Sequence, residues 1–150
     1  MKIYKVMNII VCLMVVVACA SVRTKPVSFV IEPKTPDEQA IVQMLEAMIN
    51  AYNDRNIDKH VAFFSPEAKV ESLRAGGVVS RDEYRTALLR SSQLPQLELR
   101  QTKIMLLSSD RSRIEADVYM FGSGGTNIRH IFYNLIRREG EWFIIGQQFK

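Results

Sequence analysis

Two cysteines, two histidines and five tyrosines, with 16 carboxylates, are the groups in this 150-residue chain with the means for covalent, proton-transfer or metal chemistry. Their spacing removes most of that chemistry. His60 and His130 are too few and too far apart in sequence for a metal site, which takes three or four converging ligands. There is no glycine-rich nucleotide loop, no zinc-type cysteine pair and no Ser-His-Asp order. Nothing in the sequence asks for a cofactor. What remains is a small set of polar side chains that could line a pocket: Tyr52 on a helix, Glu71 on a short strand, and His130 and Asn134 on a long one.

The cysteines belong to a different question, that of location. Lys2 and Lys5 open the chain, and an uncharged apolar run from Ile9 to Ala18 follows. That run is shorter than the ~20 residues a membrane-spanning helix needs. A basic start, a short apolar stretch and small residues at its end read as a secretory signal over residues 1–18. Val16-Val17-Ala18-Cys19 resembles the lipobox of bacterial lipoproteins, with valine where leucine is usual. The resemblance implies cleavage before Cys19, lipid on its sulfur and a membrane anchor in the bacterial envelope. Ala20 directs the protein to the outer membrane, facing the periplasm, if the cell has two membranes. Cys12 would leave with the signal, so the mature chain would hold no free thiol and no disulfide. Loss of Lys2 and Lys5 leaves 18 basic against 16 acidic residues, too even a balance to support a nucleic-acid partner.

Behind Cys19, residues 19–34 read as a tether broken by Pro26 and Pro33, in which Val27, Phe29 and Ile31 alternate. A domain follows over residues 35–150. Thr35, Pro36 and Glu38 form a helix start with a capping box. Ile41, Met44, Leu45, Met48, Ile49 and Tyr52 then recur at helical spacing, and "NDRN" ends the run. A second short helix is expected to carry Val61, Phe63 and Phe64 as far as Ser65-Pro66, with a brief strand at "AKVESL" and a loop at "RAGGVV". Ser80 and Glu83 cap a third helix bearing Tyr84, Leu88 and Leu89. The rest alternates as four β segments separated by "SSD", "GSGG" and "REGE". The order predicts an α+β fold, three helices packed on one face of a curved antiparallel sheet. Ile114, Ala116 and Val118 should face the helices, with Arg113, Glu115, Asp117 and Tyr119 on the other face; Trp142 reads as a core or sheet-face aromatic.

The stretches "MLEAMINAYNDRNIDKHVAFFSPEAKVE", "SRDEYRTALL" and "LIRREGEWFIIGQQF" together resemble the nuclear transport factor 2-like superfamily, which includes ketosteroid isomerases and SnoaL-like domains. The resemblance spans residues 36–150 and rests on order and spacing. It implies a cone, a bent sheet wrapped around the long helix with a pocket at the open end. It also implies that His130, Phe132, Asn134 and Ile136 point inward, so that Tyr52, Phe63, Glu71, His130, Phe132 and Asn134 line the pocket. The isomerases' tyrosine, aspartate and buried acid fall at Met48, Ser72 and near Phe132, none of which does their work. His130 is then a wall residue paired with Glu71 or a backbone carbonyl, or else a ligand contact or general base. Tyr52 is a phenol at the pocket mouth, or packs with its hydroxyl in water.

Three functions fit. One is a lipid-anchored domain that binds a small apolar ligand or an envelope partner without catalysis. Another is a pocket enzyme of isomerase or hydratase type using His130 and Glu71. The third is a structural subunit of an envelope or secretion assembly. The superfamily often pairs through its sheets, so a homodimer through the face bearing Arg113, Glu115 and Asp117 is a further expectation.

Overall fold

The long helix begins where the caps put it. In the computed structural model, which describes residues 32–150, α1 spans Pro36–Asn53 and the Thr35 hydroxyl accepts from the Glu38 N–H. The expected capping box is displaced by one residue: the Glu38 carboxylate reaches the Lys34 N–H at 2.6 Å instead of that of Thr35. The signal segment, Cys19 and the tether as far as residue 31 lie outside the described residues. Among the described residues no helix is long and apolar enough to cross a membrane.

Asn56 caps α2 (Ile57–Val61), and Ser80 with Glu83 forms a complete capping box for α3 (Arg81–Leu89). Between them run β1 (Phe64–Ser72) and β2 (Gly77–Ser80). The second helix is therefore shorter than expected. Pro66 lacks an N–H and disfavours helix at Ser65, and the Phe63 carbonyl instead accepts from Ile144 N–H at 2.9 Å. "GVV", expected as loop, pairs with the end of β1.

Four more strands complete the sheet: β3 (Gln96–Leu106), β4 (Arg111–Gly122), β5 (Gly125–Arg138) and β6 (Glu141–Phe149). The order is β2-β1-β6-β5-β4-β3, six strands with two free edges, so the curved sheet does not close into a barrel. It is not wholly antiparallel either, because β1 lies parallel to β6. That pairing needs a crossover, and β2, α3 and the β3–β5 meander supply it.

Of three register shifts in the sheet, one falls between Phe64 and Lys69 of β1 against β6, and two bend the β3–β6 meander. One falls between Arg100 and Lys103 in β3, where Gln101 adopts a φ of 51°. The other falls between Asn134 and Leu135 against β6. An extra residue at such a point strengthens twist and re-aims side chains. Leu135 and Ile144 are paired and buried before the second shift, as are Tyr133 and Gln147 after it. Along β6 the shift replaces the strict two-residue alternation with a three-residue step from Ile144 to Gln147.

The concave face packs on α1. Ile41, Leu45, Met48 and Ile49 are fully buried in one cluster with Ile114, Ala116 and Val118, as the alternation in β4 predicts. At the far end of α1 the Asn53 side chain behaves like a strand residue. Its amide donates to the Leu97 carbonyl at 2.8 Å and its oxygen accepts from the Leu97 N–H at 2.7 Å. This pair fixes the β3 edge against the end of the helix, beside the opening described next.

Candidate functional site

A cavity of about 80 Å³ lies between the C-terminal half of α1, α3 and the concave sheet. Ile49, Leu88, Val118 and Ile131 supply buried apolar wall, and Leu73, Leu97, Met120 and Phe149 lie nearer solvent. The volume suits the head of a small molecule rather than a whole drug-sized one, for which pockets run to ~300 Å³ and above.

Its polar lining centres on His60, which α2 places at the third step after Ile57 and one before Val61, all on one buried face. The imidazole is 2% exposed. Its Nδ1 lies 3.1 Å from the Met48 carbonyl oxygen and its Nε2 lies 3.2 Å from the Tyr84 hydroxyl. Burial pushes the ring pKa down to about 4, against a weaker upward pull from the Met48 carbonyl. At neutral pH the ring is uncharged. A carbonyl only accepts, so Nδ1 carries the hydrogen, Nε2 accepts, and Tyr84 donates to it. Tyr52, Phe64 and Tyr84 pack their rings around the imidazole with centroids 5.2, 5.5 and 5.9 Å away.

Three phenols meet at this end of the cavity: Tyr52, Tyr84 and Tyr133. All are held protonated. Burial raises the pKa of each, and the neighbouring phenols add to the rise for Tyr84 and Tyr133. For Tyr52 the burial effect is partly offset by the Arg74 and Arg55 cations and by a hydrogen bond from Arg74. Arg74, on the β1–β2 turn, also donates to the Gln93 carbonyl at 2.5 Å.

Of the six residues expected to line the pocket, Tyr52 and Glu71 do. Glu71 sits at the rim, one carboxylate oxygen accepting from the Phe149 N–H at 2.8 Å. Phe63 packs against the core away from the cavity. The inward orientation expected for His130, Phe132, Asn134 and Ile136 is corrected: the inward set on β5 is Ile131, Tyr133 and Leu135, all buried. Ala116 pairs with Ile131 and Ile114 with Tyr133, and directly paired residues share a face. His130 therefore stands outside, its Nδ1 2.9 Å from the carboxylate of its strand partner Asp117 rather than near Glu71. Phe132 lies under the Arg113 guanidinium, 4.6 Å from centroid to carbon. Asn134 fits over Gly146, where a Cβ would come within 3.3 Å of its amide nitrogen. It borders a separate hollow lined in part by the exposed Lys69, Arg111 and Gln148.

The three isomerase positions are also accounted for. Met48 is fully buried and offers only its carbonyl, to His60. The Ser72 hydroxyl accepts from the Ala75 N–H at 3.2 Å and so closes the turn after β1. Phe132 is on the outer face. Among the described residues, no group of three or more His, Cys, Asp or Glu side chains is arranged to hold a metal ion.

No family model matches the chain, and no curated protein matches it in sequence. Solved structures do. An NTF2-like protein of unknown function from Shewanella oneidensis MR-1 is 16% identical with a TM-score of 0.68, over 75% of this chain and 98% of that one. Another from Pseudomonas putida KT2440 is 16% identical with a TM-score of 0.68, over 79% and 89%. A protein of unknown function with a cystatin-like fold, from Nostoc punctiforme PCC 73102, is 12% identical with a TM-score of 0.65, over 79% and 93%. At such identities the likeness is one of fold: the chain has the nuclear transport factor 2-like fold.

The buried neutral histidine makes stability pH-dependent. Its folded pKa, about 4, lies below the ordinary 6.5, so below pH 6.5 the unfolded chain takes up a proton that the folded chain refuses. Stability is full above pH 6.5 and falls as pH drops towards 4, by about 3 kcal/mol for this group. Gln at position 60 retains a donor for Met48 and an acceptor for Tyr84 without titrating. Denaturant unfolding of His60→Gln between pH 7 and 4 should lose correspondingly less than the native chain. Parallel curves for the two would contradict the neutral assignment.

Proposed function

We propose that this protein is a membrane-anchored lipoprotein of the bacterial envelope whose single cone domain binds a small, largely apolar ligand without transforming it. The observation that carries the binding reading is the cavity itself, apolar walls with three converging phenols, the usual character of a small-molecule site. The non-catalytic reading rests on the state of the groups around it. A general base needs a free lone pair and a pKa near the working pH. The His60 lone pair is occupied by Tyr84 and its pKa is far below neutral. His130 is on the opposite side of the sheet, and Met48, Ser72 and Phe132 stand in the isomerase positions.

The anchor rests on Val16-Val17-Ala18-Cys19. Two or more acyl chains hold a protein firmly where one does so marginally. In the same reading the outer sheet face, with Phe121 and Ile128 partly exposed, is available to a second copy or to an envelope partner.

Isolated from its native membrane, the protein should carry a small apolar compound in native mass spectrometry. Met120→Trp, which narrows the opening, should release it. Conversion of the retained compound to a product by the native protein would contradict the non-catalytic reading. Separately, Cys19→Ser should leave the membrane fraction or accumulate as the uncleaved precursor. Normal processing and fractionation of that variant would refute the anchor.

A further inference from the structure

The directions of the hydrogen bonds around the cavity specify the polar group of its occupant. Tyr84 spends its only proton on His60 Nε2, because Nδ1 must donate to the Met48 carbonyl. The Tyr84 oxygen therefore has only lone pairs left to offer. Tyr52 is set the other way. The cation beside it, Arg74, has no acceptor atom and cannot take the Tyr52 proton. The Tyr52 proton is left to donate. Both rings pack on the same imidazole, and the two hydroxyls are near enough to influence each other's ionisation. The cavity thus pairs one acceptor with one donor at its buried end.

We infer that the cavity, taken as the binding site proposed above, selects an uncharged hydroxyl compound: an alcohol or phenol on a small apolar body, donating to Tyr84 and accepting from Tyr52. A single hydroxyl is both donor and acceptor and meets both phenols at once. An ether or ketone accepts from Tyr52 but leaves the Tyr84 lone pairs facing another oxygen. A carboxylate has no hydrogen to give Tyr84 and sets its charge against those lone pairs and against Glu71 at the rim, which offset the attraction of Arg74 and Arg55. An ammonium leaves the Tyr52 proton unmet and meets the Arg74 and Arg55 cations. The cavity of about 80 Å³ takes the hydroxyl and adjoining carbons, and the remainder of the molecule extends past Leu97, Met120 and Phe149 towards the rim.

The test is a titration of the full chain at pH 7 with phenol, anisole, toluene and benzoate, followed by NMR shifts of Ile49, Val118 and Ile131. Phenol should bind about tenfold more tightly than anisole or toluene, the worth of one unmet buried hydrogen-bonding group. Benzoate, with no hydrogen to donate, should bind more weakly than phenol. Tyr84→Phe should erase the preference of phenol over anisole, read as the ratio of the two affinities in the same variant; the native series decides the matter even where that variant fails to fold. Toluene binding with phenol no tighter than anisole, or with benzoate tightest, would overturn the hydroxyl assignment and leave the binding reading intact. No shift at the cavity with any of the four compounds would overturn both.

Discussion

A neutral imidazole buried among three helices is the constraint on which the rest of this domain turns. A buried polar group without a partner costs ~1–3 kcal/mol, and His60 has two nitrogens to satisfy. α1 offers the Met48 carbonyl and α3 offers the Tyr84 hydroxyl, while α2 carries the ring between them. Each helix is thereby held at a fixed distance from the others. The same bonds decide the tautomer, and the tautomer decides what Tyr84 can present to the cavity. One residue links the assembly of the helices to the chemistry of the site.

The sheet contributes the other half of the cavity through its irregularities. A strictly alternating β6 would not bury Ile144 and Gln147 on the same side; the register shift against β5 allows it, and Phe149 then follows Gln147 at the cavity. The shift in β3 leaves Leu97 and Leu99 directed at the helices while the strand bends away beyond Gln101. Asn53 then fastens Leu97 to the end of α1 through both backbone groups. These departures from regularity keep the sheet open at the edge and the cavity accessible.

The first and third helices were legible because their signals are local. Thr35, Ser80 and Glu83 act within one turn, and the apolar period of α1 is long enough to fix its buried face. The inward face of β4 was legible for the same reason. β5 was misread because "IRHIFYNLI" is apolar on both faces, so alternation alone cannot choose between them, and a slip of one residue exchanges every side chain. The choice was nevertheless encoded in the turn. Gly122 pairs with Gly125 around Ser123 and Gly124, and counting back along that two-residue hairpin sets Tyr133 opposite Ile114, already assigned to the core. His60 had a signal too, its spacing from Ile57 and Val61, but a polar residue on an apolar face declares no role until its partners are known. Those partners, Met48 and Tyr84, are 12 and 24 residues away, and no local rule joins them.

His60 is neutral, with its hydrogen on Nδ1, so Tyr84 gives its proton away from the cavity. Nitrogen-15 NMR of the imidazole reads this directly. At pH 7 Nδ1 should be protonated and pyrrole-type, and Nε2 unprotonated and pyridine-type. That pattern should persist well below the ordinary histidine pKa of 6.5. A hydrogen on Nε2, or two protonated nitrogens at neutral pH, would reverse the polarity of Tyr84 and overturn the neutral Nδ1–H assignment.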